Sequence, residues 1–261
     1  MKMNMNEQII SMVHAFVESY PETHSTETTW RKPVIGFADA RDPKFQMLKQ
    51  VIGPNHAMPQ ELLPNAQSVI VFFLPFSKEV VKSNIPDEES SRAWDIANIE
   101  TNQMIVELNR CLHDFIVQQG FHSSLLPPTY NYDSERLVSA WSHKSAAYIA
   151  GIGKFGLHHL LITEQGCCGR IGSVITDMKL EPTGFQEEEY CVYQRTEKCK
   201  ACITRCPSHG LEVYTNDVVY DRYQCNEQIY DKVVPVYAIG TGDACGKCMC
   251  GVPCSFRIPK V

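Results

Sequence analysis

The uneven placement of the cysteines constrains this chain more than any other feature of its sequence. Nine of the twelve cysteines lie from Cys191 to Cys254, and most of these fall into two groups. The first group has the spacing C-x7-C-x2-C-x3-C-P over 191–207, the second has C-x2-C-x5-C over 245–254, and Cys225 lies between them. In a reducing compartment this density of thiols predicts metal or cofactor ligation rather than a disulfide framework.

The remaining composition is ordinary for a globular protein. The 261 residues are 44% hydrophobic and 21% charged, and no apolar run is long enough to span a bilayer. The first residues, MKMNMNEQIISMVHAF, lack the features of a signal peptide and have the periodicity of an amphipathic helix. We therefore expect a cytoplasmic protein without a membrane partner. A net charge of −6 with no dense Lys/Arg run disfavours nucleic acid as a partner.

The cysteine spacing is similar to the C-x2-C-x2-C-x3-C-P motif of bacterial two-cluster ferredoxins, in which three thiolates hold one cubane and the fourth reaches the other. Thr196 stands where the first cysteine of that motif would lie, so Cys191 is its natural substitute. Zinc is the alternative, but it would leave several cysteines without a role. The pattern therefore predicts two 4Fe-4S clusters, with Cys250 spare unless it replaces a neighbour. The predicted ligands are Cys191, Cys199, Cys202 and Cys254 for one cluster, and Cys206, Cys225, Cys245 and Cys248 for the other.

The cysteine content changes near the acidic stretch FQEEEY (185–190), which predicts a domain boundary there. We expect an α/β (α+β) core over 1–187 and a ferredoxin-like domain over 188–261. Short β-rich runs predict strands in the core, and apolar residues at helical spacing predict helices. The predicted strands cover 32–39, 68–76 and 172–180, and the predicted helices cover 101–120 and 135–151, with a solvated loop at 82–93.

The segment AGIGKFG (150–156) matches G-x-G-x-x-G through Gly151, Gly153 and Gly156. A dinucleotide site needs this motif between a strand and a helix, whereas here it follows a helical stretch. We therefore do not expect nicotinamide binding; the glycines are expected to admit a bulky ligand or to form a tight helix end. Arg170, in the predicted turn GCCGRIG, is a candidate for contacting a propionamide, a phosphate or a carboxylate.

The stretch HKSAAYIAGIGKFGLHHLLITEQGCCGRIGSVITDMKL (143–180), followed by the cysteine groups, resembles the epoxyqueuosine reductases and, more distantly, the corrinoid reductive dehalogenases. LLPNAQSVIVFFLPF (62–76) is similar to a strand of the same family. The resemblance implies a nitroreductase-like α/β core that holds cobalamin beside one cluster. It further implies that electrons pass from an outer cluster to an inner one and then to cobalt, while a nearby acid donates a proton.

For that acid, the segment YNYDSERL (130–137) supplies Asp133, with Tyr132 and Tyr130 as alternatives. The segment is similar to a family motif, D-[ST]-x-P-x-x-E-R, but has a shorter spacing. Asp133 could equally begin a helix as its N-cap. The family's C-terminal helical-repeat extension, which helps to grip tRNA, does not follow Cys254 here, so a small substrate is expected rather than tRNA.

The sequence thus predicts an iron–sulfur oxidoreductase that takes single electrons from a flavodoxin, a ferredoxin or a reductase. It would pass them, through cobalamin, to a small-molecule substrate or a partner protein. The alternative is a non-catalytic ferredoxin-type electron carrier or a reductive activator of a partner protein. His143, His158 and His159 are candidates for cofactor contact, although a histidine beside an apolar run is more often a packing residue. Cys111 is assigned to core packing, and Cys167 and Cys168 are assigned to packing or to a role as redox-exposed thiols.

Overall fold

The structure is a computed structural model that describes residues 3–214, 217–231 and 234–260. Helices and short strands alternate along the chain. The helices are α1 (Met5–His24), α2 (Pro43–Val51), α3 (Pro59–Leu62), α4 (Lys78–Ser83), α5 (Arg92–Gln118), α6 (His143–Ile149), α7 (Val192–Thr196), α8 (Ala201–Thr204) and α9 (Arg222–Tyr230). The strands are β1 (Val34–Asp39), β2 (Ser68–Pro75), β3 (Ser123–Ser124), β4 (Tyr132–Asp133), β5 (Val138–Ser139), β6 (Gly153–Phe155), β7 (Leu161–Thr163), β8 (Gly169–Thr176), β9 (Leu211–Tyr214), β10 (Asp217–Tyr220), β11 (Val236–Tyr237) and β12 (Gly240–Thr241).

Four of the strands form a central antiparallel sheet in the order β1–β2–β8–β3. Val34 of β1 lies opposite Phe73 of β2, and Ser68 of β2 lies opposite Thr176 of β8. Among the described residues the other strands pair as β4–β5, β6–β7, β9–β10 and β11–β12. The chain therefore has a mixed α/β fold with small sheets, as the sequence predicts.

Strand β2 is buried on both faces, and its side chains alternate between two apolar cores because successive strand residues point to opposite sides. Val69, Val71 and Phe73 enter one core, which also contains Phe45 of α2 and Trp141. The alternate residues of β2 enter a second core, which α1 and α5 cover. This double burial explains why 68–76 is an almost uninterrupted apolar run.

Helix α1 is the amphipathic helix that the first residues predict. It begins at a capping box in which Asn4 and Glu7 each accept a backbone N–H of the other. Ile9, Val13 and Val17 form its buried face. Within the part of the chain that the structure describes, no helix combines the length and the apolar character needed to cross a membrane.

Helix α5 begins at Arg92, well before the predicted stretch 101–120, because Ser91 caps it by accepting the N–H of Trp94. The loop predicted at 82–93 is correspondingly shorter. The first turns of α5 bury polar side chains such as Asp95 and Glu100. They hide the apolar periodicity on which a sequence prediction relies.

The helix predicted at 135–151 is wrong in its first half. Residues 135–142 contain a turn and strand β5, and Leu137 has a positive φ of 52°, which a helix does not allow. Helix α6 begins only at His143, where the hydroxyl of Ser142 accepts the backbone N–H of Ser145. The apolar residues that suggested a longer helix belong to the hairpin β4–β5.

Replacing Leu108 by Ala tests the second core. Leu108 is fully buried on α5, so the cavity left by truncation should lower the free energy of unfolding by about 2–5 kcal/mol. Val106→Ala on the exposed side of the same helix is the matched control and should change it by less than about 0.5 kcal/mol. Urea denaturation under oxygen-free conditions measures both variants. Equal destabilisation would contradict the assignment of this face to the core.

Candidate metal centre

The two cysteine groups fold against a third apolar core. Phe76, Trp94, Leu157 and Ile162 supply it from the first part of the chain, and side chains from 191–254 pack against them. Residues on both sides of the predicted boundary at 187 therefore share this core. The contact places the cysteine groups at one end of the central sheet, because Phe76 directly follows β2.

Cys202 is the centre of a first set of thiols. Burial is the main cause that raises the pKa of Cys202 to about 12. The thiolates of Cys254, Cys191 and Cys199 raise it by smaller amounts. A charge shifts a pKa in this way only at short range, so the four side chains lie close together. The same four cysteines line one hollow, whose walls also include Leu157, His158, Ile162, Val192, Pro253 and Pro259.

Cys248 is the centre of a second set. Burial raises its pKa well above the ordinary value, and the thiolates of Cys245, Cys225 and Cys206 raise it further. The thiolate of Cys202, from the first set, also raises the pKa of Cys248, so the two sets adjoin. Four of the eight predicted ligands thus line one hollow, and three of the others act electrostatically on the fourth, Cys248. That these cysteines bind metal stays a prediction.

Cys250 lies outside both sets. Its side chain is fully buried, and its Sγ atom is 3.5 Å from the Nδ2 atom of Asn84. Burial and the adjacent Cys250 both raise the pKa of Cys168, whose Sγ atom lies 3.1 Å from the carbonyl oxygen of Met249. This geometry favours leaving Cys250 out of both ligand sets, and Cys168 is buried in the core.

Two side chains from outside the cysteine groups lie against Cys254. The Nε2 atom of His158 is 3.5 Å from the Sγ atom of Cys254, and the Sγ atom of Cys167 is 3.9 Å from it. The sulfur or nitrogen atoms of the three side chains all lie within 4.8 Å of one another. The sequence signal for this contact is weak, since neither residue belongs to a spaced cysteine motif.

A hydroxyl group and an ammonium group adjoin the second set. Burial raises the pKa of Cys225, while a hydrogen bond from Tyr220 and the charge of Lys144 lower it. The Nζ atom of Lys144 donates to the carbonyl oxygen of His159 at 3.1 Å, and the His159 ring stacks on Tyr220 at 5.4 Å between centroids. His159 therefore contacts the hydrogen-bond donor of the second set.

Lys247 brings a second positive charge close to the thiols. It lies between Cys245 and Cys248 in the sequence and is 1% exposed. Its Nζ atom donates to the carbonyl oxygens of Asn84 and Pro86 at 3.1 and 2.8 Å. Burial lowers the pKa of Lys247, whereas the thiolate of Cys245 raises it. A buried ammonium held in this way favours negative charge on the neighbouring sulfur atoms.

His143 is a packing residue. Its Nε2 atom lies 3.0 Å from the carbonyl oxygen of Pro127 and so carries the proton, while Nδ1 lies 2.8 Å from the hydroxyl of Ser173. Burial lowers the pKa of His143 to about 4, which keeps the ring neutral at physiological pH. Its two ring nitrogens are both engaged by the protein.

Asp133 and Tyr132, the predicted proton donors, lie on β4. The Oδ1 atom of Asp133 accepts the backbone N–H groups of Glu135 and Arg136 at 3.0 and 2.9 Å. The carboxylate therefore closes a turn, and no helix begins there. Tyr132 is half-exposed and lies near Tyr230, whose pKa it helps to raise. Proton donation by either residue stays a prediction.

The three glycines of AGIGKFG lie against protein atoms. Gly151 ends α6 with a positive φ of 73°, and a Cβ atom there would overlap the carbonyl oxygen of Gly184. A Cβ atom on Gly153 would lie 2.5 Å from the carbonyl oxygen of Ile162, and one on Gly156 would meet the following turn. A tight helix end and a close strand pairing account for these glycines.

Arg170 lies on strand β8 opposite Leu74, so the turn predicted around it is wrong. Gly169 and Gly172 flank Arg170 on the strand. The rings of Phe73 and Phe72 on β2 occupy the space that a side chain at these two glycines would need. The Nη2 atom of Arg170 donates to the Oδ1 atom of Asn102 at 2.7 Å. Burial lowers its pKa, while nearby Asp243 and Tyr230 raise it. Arg170 and the three glycines all contact protein groups, and their predicted role in cofactor binding stays a prediction.

Gly246 offers a test of the loop between Cys245 and Cys248. Its φ is 66°, and an added Cβ atom would overlap the buried indole of Trp94. Gly246→Ala should therefore cost backbone strain of about 1–2 kcal/mol and overpacking of about 1–3 kcal/mol. Gly251→Ala is the control, since its φ is 73° but its nearest neighbouring atoms are 3.4 Å away. Urea unfolding measures both variants. If Gly246→Ala lowers the urea midpoint no more than Gly251→Ala does, this account is contradicted.

Asp133 offers a second test. Asp133→Ala removes the acceptor of two backbone N–H groups and should lower the free energy of unfolding by about 1 kcal/mol. Asp133→Asn keeps an oxygen at the same position and should cost less, because asparagine forms the same turn. Equilibrium urea unfolding of the two variants measures the difference. Equal losses would show that the carboxylate charge, rather than the turn, stabilises this hairpin.

No protein-family model and no curated protein matches the chain. Solved structures do match it. An epoxyqueuosine reductase from Streptococcus thermophilus aligns with 99% of this chain and 69% of its own, at a TM-score of 0.58 and 16% identity. A selenomethionine-labelled epoxyqueuosine reductase aligns with 96% of this chain and 70% of its own, at a TM-score of 0.54 and 16% identity. Identity this low bears on the fold alone, and the chain has an epoxyqueuosine reductase-like fold.

Proposed function

We propose that this protein is an iron–sulfur oxidoreductase that passes single electrons through two 4Fe-4S clusters. The observation that supports the proposal is the hollow that Cys191, Cys199, Cys202 and Cys254 line together, with Cys206, Cys225 and Cys245 acting electrostatically on Cys248 beside it. One set would comprise Cys191, Cys199, Cys202 and Cys254, and the other Cys206, Cys225, Cys245 and Cys248. In the proposed arrangement, 188–261 is the cluster-binding domain and 1–187 is the core against which it packs.

The composition of the sets favours iron–sulfur clusters over zinc. Cys254 belongs to the second sequence group but lies with the first set, and Cys206 belongs to the first group but lies with the second set. This exchange of terminal cysteines is the arrangement of two-cluster ferredoxins. Cys206 also precedes Pro207, as the crossing cysteine of those ferredoxins does.

The protein groups around the two sets fit clusters that carry negative charge. When bound, the clusters would supply one-electron transfer. Lys247 beside Cys245 and Lys144 near Cys225 would offset part of the thiolate charge. The third apolar core would limit the access of water to the first set. The proximity of Cys202 to Cys248, through which Cys202 raises the pKa of Cys248, would keep the two sets close enough for electrons to pass between them.

A one-electron donor such as a flavodoxin, a ferredoxin or a reductase would supply the electrons, and a small molecule or a partner protein would accept them. The likeness of the fold to the epoxyqueuosine reductases supports an oxidoreductase. We do not extend the proposal to cobalamin, because Arg170 and the glycines predicted to hold it contact other parts of the protein. The alternative within this proposal is an electron carrier or a reductive activator of a partner protein.

Iron analysis of protein purified without oxygen tests the proposal. We expect about eight iron atoms per chain, matched by acid-labile sulfide. Cys202→Ser and Cys248→Ser each remove one ligand from a different set, so each should lower the iron content to about four. Cys111→Ser is the control, since Cys111 lies on α5 away from both sets, and it should leave the iron content unchanged. Zinc in place of iron, or iron loss confined to one of the two ligand variants, would contradict the assignment.

A further inference from the structure

We propose that His158 donates a hydrogen bond from Nε2–H to the Cys254 sulfur and thereby raises the reduction potential of the cluster held by the first set. The inference rests on the proposed function, because it requires a cluster on Cys254. It assigns a role to a histidine that lies outside the cysteine groups and that the ligand sets do not use. His158 acts through Cys254 and is a positioning residue.

The tautomer of His158 follows from its two contacts. Its Nδ1 atom lies 3.1 Å from the backbone nitrogen of Leu160. A backbone N–H can only donate, so Nδ1 accepts this hydrogen bond and carries no proton. A neutral imidazole with a bare Nδ1 carries its proton on Nε2. Nε2 is the atom that lies 3.5 Å from the Sγ atom of Cys254, within hydrogen-bonding distance of sulfur.

The surroundings of His158 hold the ring in this orientation. The side chain is 3% exposed and lines the hollow of the first set together with Leu157 and Ile162. The turn between β6 and β7 is closed by a hydrogen bond of 2.8 Å from the Gly156 N–H to the Leu160 carbonyl oxygen. A Cβ atom on Gly156 would lie only 2.7 Å from the Cε1 atom of His158, so the glycine leaves room for the ring. The donor is therefore preorganised.

Cys167 is a second residue from outside the cysteine groups that contacts Cys254. The Sγ atom of Cys167 lies 3.9 Å from the sulfur of Cys254 and 3.8 Å from the carbonyl oxygen of Met249. Cys167 is 2% exposed, so this contact is also shielded from water. The sulfur of Cys254 thus lies between a ring N–H and a thiol. This polar environment distinguishes Cys254 from a thiolate packed only against apolar side chains.

A hydrogen bond to a ligating sulfur changes the potential for an electrostatic reason. Reduction adds negative charge to the cluster and its thiolates, and an N–H dipole aimed at a sulfur stabilises that added charge. The bond is therefore stronger in the reduced state, and the potential rises. Removing it should lower the equilibrium constant for one-electron reduction of this cluster about tenfold, which corresponds to about 59 mV for a single electron.

The test is a redox titration of His158→Leu, His158→Gln and the unaltered protein, followed by electron paramagnetic resonance and visible absorption. We expect the Leu variant to retain about eight irons and one cluster to be about tenfold harder to reduce. The Gln variant should have a reduction potential close to that of the unaltered protein, because its amide Nε2 keeps an N–H donor at a similar reach. If the Leu variant loses iron, His158→Met replaces it in the test, because methionine fills the same hollow and has no hydrogen-bond donor.

Tyr220→Phe is the matched control, since the Tyr220 hydroxyl donates a hydrogen bond to Cys225 of the second set. It should shift the other cluster and leave the His158-dependent one unchanged. Unaltered potentials in iron-replete Leu or Met variants would overturn the inference, as would equal shifts in the Gln and Leu variants. Failure of the unaltered protein to bind iron would instead overturn the proposed function, so the two failures are distinguishable.

Discussion

The packing of two distant cysteine groups against one apolar core is the constraint on which the rest of this structure depends. Phe76, Trp94 and Leu157 form a surface against which thiols from 191–254 are buried. Burial raises the pKa of Cys202 and Cys248 above the ordinary value of a thiol. In the proposed function, iron binding to these sulfur atoms and folding of this region are linked.

The hairpin β6–β7 connects the glycine motif to the cysteines. Gly153 and Gly156 allow the two strands and the turn between them to approach closely. The turn then directs two consecutive histidines to different partners: His158 contacts Cys254 of the first set, and His159 stacks on Tyr220 beside the second. A motif that suggests nucleotide binding by its spacing thus has a structural role here, and that role sets the polar environment of both sets of thiols.

Sequence reasoning predicted the elements whose signal is local. The short β-rich runs identified β1 and β2, and the helical period identified α1. It missed the start of α5, where polar side chains are buried because they find partners far along the chain: Glu100 accepts the N–H of Thr28. It also extended a helix through 135–142, where the Asp133 carboxylate closes a turn that competes with helical hydrogen bonding.

The ferredoxin-like spacing of the cysteines predicts how eight of them divide into two sets, and that division stays a prediction. The contacts that distinguish one sulfur from another were not accessible in this way. His158 and Cys167 are 96 and 87 positions from Cys254, and they meet it only because the central sheet and the third core bring their segments together. Local covalent geometry reaches a few residues along the backbone, whereas the environment of each thiol depends on side chains that only packing of the whole chain makes neighbours.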